Sequence, residues 1–267
     1  MSSGMKRLAL VLAYDGSRFE GWQTQPSGRA VQDHLEQALA AIAGHRVATF
    51  CAGRTDAGVH AFRQVVHFDT GAQRPETAWV RGVNSHLPQG VAVRHVVEVD
   101  TNFHARFGAK RRRYRYFLHV SPVRHPLLAG RAGWSHHTLD QHAMTLVAAS
   151  LIGEHDFSAF RSSQCQAASP VRRLESLTIE RQGALLVFTL TANAFLHHMV
   201  RNLVGLLVAV GSGRCRPGFA AELLEHRDRR LAPPTFEAAG LYLEAVQYDV
   251  HHALPSWGGS LTDDWLA

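Results

Sequence analysis

Apolar positions recur along the chain with two different periods, and the period identifies each element. Leu8, Leu10 and Leu12 alternate with other residues, which predicts a first strand. Val31, Leu35, Leu39 and Ile42 fall at helical spacing, so an amphipathic helix is expected over 30–43. Strands are expected at 47–52 and 64–69, on either side of a loop from Gly53 to Ala61. A helix begins near Thr77, and a strand fits 91–99. The order then recurs. Tyr114, Tyr116, Leu118 and Val120 alternate as a strand does, and Leu139, Ala143, Leu146, Val147 and Leu151 mark a helix. Strands are expected at 174–181 and 185–192, the second rich in β-branched and aromatic residues. Met199, Leu203, Leu206, Leu207 and Val210 mark a further helix that stops at Gly211 to Gly213. A short helix at 218–226 and a strand at 241–249 close the series. Strands with interposed helices, twice over, predict two related α+β halves with a boundary near 105–112. The expected division is 5–108, 109–250 and a tail extension over 251–267, with Met1 to Gly4 a disordered extension.

Composition narrows the class. At 267 residues with 46% apolar and 19% charged residues, the chain is long enough to bury a core and has a globular balance. The net charge is +6 with 18 further histidines, and the pI is near 9.7. That surplus suits a polyanionic partner such as nucleic acid, and also a merely basic soluble enzyme. Cys51, Cys165 and Cys215 are odd in number and far apart, so a disulfide framework or zinc ribbon is disfavoured and reduced, cytosolic thiols are expected. No apolar run reaches the roughly 18 residues of a membrane span. The start imitates a signal peptide, with Lys6 and Arg7 before an apolar stretch, but that stretch is short, ends at Asp15 and has no cleavage site.

Four places carry candidate chemistry. The string Gly53-Arg54-Thr55-Asp56-Ala57-Gly58-Val59-His60-Ala61 sets one carboxylate among small residues. It reads either as a shaped loop offering a single acid or as a turn in which Asp56 bonds its own backbone. It lacks the Gly-Lys-Ser/Thr ending of a phosphate-binding loop. Lys110-Arg111-Arg112-Arg113-Tyr114-Arg115-Tyr116 interleaves cations, which neutralise phosphates, with aromatic faces, which stack on bases. On a strand Tyr114 and Tyr116 share one face and Arg113 and Arg115 the other; a solvated basic edge is the plainer alternative. Arg201 enters a strongly apolar helix, where a cation either pairs with a carboxylate such as that of Asp56 or reaches solvent from the helix end. His-His pairs stand at 136–137, 197–198 and 251–252, but adjacent residues diverge on helices and strands, and there is no His-Glu-x-x-His. A nucleophile elbow is absent.

Taken together, these strings resemble the bacterial tRNA pseudouridine synthase A family. The matching positions are Tyr14-Asp15-Gly16 with Phe19, Gly21-Trp22-Gln23-Thr24-Gln25, Val31-Gln32 with Leu35-Glu36, and Gly53 to Ala61 with Gln64. They continue through Asn84 with Leu87-Pro88, Phe103 to Arg106, Lys110, Tyr114 to Tyr116, Glu154 to Ser158 with Phe160-Arg161, and Ser169-Pro170. Asn193 to Leu196, Met199 to Arg201 and Gly240 to Leu243 complete the order. The resemblance covers about residues 6 to 249. It implies two ferredoxin-like halves forming a central antiparallel sheet flanked by helices, with a catalytic cleft between the halves. It further implies a cytoplasmic homodimer that isomerises uridine to pseudouridine at positions 38, 39 and 40 of the tRNA anticodon stem-loop, extruding the base, with no metal and no organic cofactor. Asp56 takes the place of the catalytic aspartate and Tyr114 that of the tyrosine stacking on the uracil. Arg54 would aid extrusion, Arg201 would pair with the acid, Leu241 would wall the site, and Lys110, Arg111, Arg112 and Arg113 would meet the RNA backbone. The chain departs from the family in a longer segment between Pro233-Pro234 and Gly240, and in the tail after Asp249. Two rival classes make different forecasts. A noncatalytic RNA-binding protein needs no Asp56, and a hydrolase built on the His pairs loses activity with a chelator.

Overall fold

The computed structural model describes residues 4–252 and 254, and the expectations for Met1 to Ser3 and for most of the tail extension lie outside them. The fold is mixed α/β, with mostly antiparallel strands. It divides into two compact units, one running up to Lys110 and resuming at Leu243, the other running from Arg111 to Tyr242.

In the first unit, strands β1 (Lys6–Tyr14), β2 (Phe50–Cys51), β3 (His60–Thr70) and β4 (Val91–Val99) accompany helices α1 (Val31–Ala43) and α2 (Val83–His86). β1 lies between β4 and β3, antiparallel to both, with Leu10 opposite Val66 on one side and Val96 on the other. The alternation of leucines predicts one buried face, yet Leu8 through Leu12 are all buried. Ala9 and Val11 fill the second face, so β1 is an interior strand covered on both sides. The strand expected over 47–52 is reduced to Phe50 and Cys51, which pair with His67 and Val66. α1 turns Val31, Leu35, Ala38 and Leu39 inward, and each buried leucine contributes roughly 1.5–3 kcal/mol.

In the second unit, β5 (Arg111–Val120), β6 (Gly133–Ser135), β7 (Gly153–Asp156), β8 (Val171–Gln182) and β9 (Leu185–Ala192) accompany α3 (Gln141–Ser150), α4 (Met199–Gly211) and α5 (Phe219–His226). The strands pair in the order β5-β9-β8-β7, all antiparallel, and β6 pairs in parallel with β5. α4 is apolar nearly all round, and every residue except Arg201 is buried, so it is the unit's core helix. The Asp140 side chain caps α3 by accepting from the Ala143 N–H. The last strand, β10 (Leu241–Gln247), begins in this unit, and from Leu243 onward its residues belong to the first. Among the described residues no helix is long and apolar enough to cross a membrane.

Candidate active-site loop and basic strand

The segment between β2 and β3 is held from three sides. Tyr14, at the end of β1, shares a 2.8 Å hydrogen bond between its hydroxyl and that of Thr55, and both residues are buried. Gln64, in the interior of β3, is fully buried; its Nε2 donates to the Gly53 carbonyl at 2.6 Å and to the Tyr14 hydroxyl at 3.3 Å. The Trp22 N–H donates to the Thr55 carbonyl at 2.9 Å, and the Gly58 N–H to the Gly16 carbonyl at 3.2 Å. The Val59 N–H closes the turn on the Asp56 carbonyl at 3.1 Å. Buried polar groups with these partners are satisfied, and removing one would strand its mate.

The first turn of α1 carries the same bracing further. The Val31 N–H donates to the Gly21 carbonyl and the Gln32 N–H to the Trp22 carbonyl, both at 3.0 Å. Gln32 Oε1 accepts from the Thr24 N–H. Asp33 Oδ2 accepts from the Ala30 N–H, and its Oδ1 from the Thr24 hydroxyl. One turn on, Glu36 Oε1 accepts from the Thr49 N–H and hydroxyl at 2.9 and 2.8 Å, which fixes the chain entering β2. Gly21, Trp22, Gln32 and Glu36, which the family resemblance groups without assigning roles, thus form one bracket around the loop.

Two glycines outside the loop permit this close approach. A Cβ on Gly16 would lie 1.9 Å from the Val59 carbonyl oxygen. Gly21 has a left-handed φ of +88°, and a Cβ there would meet the backbone at Thr55, Asp56 and Ala57. Asp56 is half-buried at the apex and Arg54 is exposed. The loop therefore offers one partly desolvated carboxylate on a rigid frame, beside an exposed guanidinium.

On β5 the predicted alternation is found. Arg112, Tyr114 and Tyr116 are buried, while Arg113 and Arg115 are half-buried on the other face. Tyr114 meets Phe195 edge-on at 5.1 Å. The Tyr116 hydroxyl donates to the Glu237 carbonyl, and burial raises its pKa well above the ordinary phenol value. Lys110 is exposed and lies 3.3 Å from Asp249, and Arg111 is 2.5 Å from Glu175. Arg112 sends Nη1 to the Asn193 carbonyl at 2.9 Å, so it braces the strand end. Arg201, in the first turn of α4, is half-buried and donates Nε to the Phe236 carbonyl at 2.8 Å. Leu241 is buried at the start of β10. The longer segment before Gly240 lies along α4, with the Pro234 carbonyl so near Gly205 that a Cβ would approach it to 2.5 Å.

The family model described as "tRNA pseudouridine synthase" matches residues 10–108 and 147–249. The chain belongs to the tRNA pseudouridine synthase family. It is 58% identical over 252 residues to the tRNA pseudouridine synthase A of Aromatoleum aromaticum, covering 94% of this chain and 96% of that one. It is 55% identical over 249 residues to that of Methylobacillus flagellatus, covering 93% and 95%. To that of Janthinobacterium it is 53% identical over 261 residues, covering 96% of each. The family is one of isomerases. Both matched stretches carry residues singled out above, Gly53 to Gln64 in the first and Asn193 to Arg201 in the second.

Proposed function

We propose that the protein is a tRNA pseudouridine synthase that isomerises uridine at positions 38, 39 and 40 of the anticodon stem-loop, with Asp56 as its catalytic carboxylate. It works as a cytoplasmic homodimer, without a metal or an organic cofactor. The observation that carries the reading is the bracing of the Asp56 loop: hydrogen bonds from Tyr14, Trp22 and Gln64, and the close approach of Gly16 and Gly21, hold one half-buried acid in a fixed geometry. Such pre-organisation is what positioning catalysis requires.

The reaction breaks the bond from ribose C1′ to N1 of uracil and joins C1′ to C5 of the same base; the C5 proton is released to solvent and N1 takes up a proton in its place. No electrons are gained or lost, so a single ionised carboxylate suffices, acting as nucleophile at C1′ or as base at C2′. A paired uridine hides both atoms, and its extrusion costs a few kcal/mol. Tyr114 supplies the aromatic face for the uracil, and Arg54, Arg201 and Leu241 complete substrate binding. Of the basic run, the exposed Lys110 and Arg111 meet the phosphates most directly, with Arg113 beside them, while the buried Arg112 supports the strand end through the Asn193 carbonyl.

The test is Asp56→Asn assayed by tritium release from tRNA labelled at uridine C5. Release is expected to vanish while tRNA binding persists. Near-normal release by the variant would refute the role of the acid, and pseudouridine found only outside positions 38–40 would refute the site on the tRNA.

A further inference from the structure

The second unit contains a cavity of about 620 Å³ lined mainly by polar and cationic side chains. Arg161, Arg227, Arg229 and Arg230 all border it, together with His198 and the residues Ser158, Ser162 and Thr235. Two carboxylates offset the four guanidiniums. Asp156 lies 3.6 Å from Arg227, and Asp228 pairs with Arg230 at 2.6 Å. Arg229 forms no ion pair with a carboxylate among the described residues, and Arg161 meets only the charge of Asp156, which it shares with Arg227. The Arg161 guanidinium is tethered by the carbonyls of Cys165 and Ala167, and that of Arg229 by the carbonyls of Ala232 and Pro233, Asn202 Oδ1 and the Thr235 hydroxyl. Burial without a counter-charge holds the Arg229 pKa below its ordinary value. An excess of about two positive charges is thus fixed in place around a recess, an arrangement that is costly unless an anion enters it.

Backbone geometry points to the same recess. Among the described residues the non-glycine positions with left-handed φ are His198 (+65°) and Arg227 (+55°), and both line it. Arg227 closes α5 where glycine is the ordinary choice, so the chain accepts about 1–2 kcal/mol of backbone strain to keep a cation there. His198 precedes the first turn of α4, whose N-terminal dipole end favours negative charge. Strained positions that converge on one cavity mark a functional surface.

We propose that this recess is a phosphate-binding subsite that holds the sugar–phosphate backbone of the RNA substrate, separate from the basic strand at 110–113. The assignment rests on the proposed activity on tRNA. The recess is larger than one phosphate needs and its cations come from two segments, which suits successive phosphodiesters better than a single small anion.

The experiment measures binding of an unmodified tRNA transcript to the full chain over a range of KCl concentrations. Arg227→Asn with Arg230→Gln removes two exposed charges, and asparagine tolerates the left-handed backbone. The expected result is a log–log salt slope shallower by about 0.7–0.9 for each phosphate that is no longer neutralised, with affinity at 100 mM salt lower by about 3- to 10-fold. Lysine at both positions should restore the slope. Arg230→Gln alone, at a side chain 89% exposed, supplies the same readout with little risk to folding. Unchanged slope and affinity in both variants would overturn the proposal. So would submillimolar binding of inorganic phosphate to the wild-type chain combined with an unchanged tRNA slope, which would assign the recess to a small anion. Wild-type protein that binds tRNA with the expected slope but releases no tritium would overturn the proposed activity and leave the subsite standing.

Discussion

Substituting Gly21 by alanine should disturb the Asp56 loop while leaving the loop's own sequence unchanged. Gly21 has φ of +88°, a conformation that costs an ordinary L-residue about 1–2 kcal/mol. Its new Cβ would lie 2.9 Å from the Thr55 carbonyl oxygen, 3.1 Å from the Ala57 nitrogen and 3.2 Å from the Asp56 carbonyl carbon. All three are backbone atoms, so no side chain can swing aside, and crowding adds about 1–3 kcal/mol. The sum, about 2–5 kcal/mol, corresponds to a melting temperature lower by roughly 4–20 °C at about 2–4 °C per kcal/mol. Gly28 provides the control: its φ is +68°, but a Cβ there meets nothing within 4 Å. Gly28→Ala carries the backbone strain alone and should lose only about 1–2 kcal/mol. The decisive comparison is single-turnover tritium release at 20 °C, where circular dichroism shows both variants folded. A catalytic group displaced by about 1 Å loses on the order of a hundredfold in rate, so Gly21→Ala should be slowed at least tenfold while Gly28→Ala stays within about twofold. Equal rates for the two folded variants would refute the inference that this loop positions the reacting acid.

His67 is buried and stacked on Phe50, its Nδ1 accepts from the Ala105 N–H, and burial, with repulsion from His104 and Arg7, holds its pKa down to about 4. The unfolded chain, with a histidine pKa near 6.5, therefore binds a proton that the folded chain refuses, so this contribution to stability is complete above pH 6.5 and is lost as pH falls toward 4, a loss on the order of 2–3 kcal/mol; urea melts at pH 7.5, 6 and 5 should show a shallower decline for His67→Gln, and parallel declines would refute the assignment. Burial pushes the Cys51 thiol up to about 12, whereas at Cys165 the raising effect of burial is outweighed by backbone N–H groups and Arg161, which bring its pKa below the ordinary value. Iodoacetamide at pH 7.5 should therefore modify Cys165 well before Cys51, as read by peptide mass spectrometry, and equal rates would contradict the environments described.

The elements most legible in the sequence are those whose period runs unbroken: α1 and α4, and the strands β4 and β9, which match 91–99 and 185–192 residue for residue. β7 escapes because Gly-Glu-His-Asp has no apolar alternation and exists through its ladder with β8, a partner about 20 residues away. The functional residues divide the same way. Asp56 and Tyr114 stand in local strings whose composition already suggests chemistry. Gln64 is legible only as a polar residue in an apolar strand, because its partners, Gly53 and Tyr14, are brought to it by strand register, with Leu12 opposite it. The basic recess is hidden more completely. Arg161 and Arg229 stand 68 positions apart, and each alone reads as a solvated surface charge; Arg230 even has its carboxylate two residues away. The loop itself makes the general point in physical terms. Its own glycines, Gly53 and Gly58, suggest a segment that shapes itself. The packing adds to that reading: Gly58 itself turns with a left-handed φ of +80°, while outside the loop Gly16 and Gly21 are positions where a side chain would strike the loop's backbone, and Tyr14, Trp22 and Gln64 make hydrogen bonds to it. The geometry around Asp56 is therefore set by residues 14–22 and β3 together with the turn at Gly58, so that substitutions there should alter the chemistry more than conservative changes at Ala57, which is exposed.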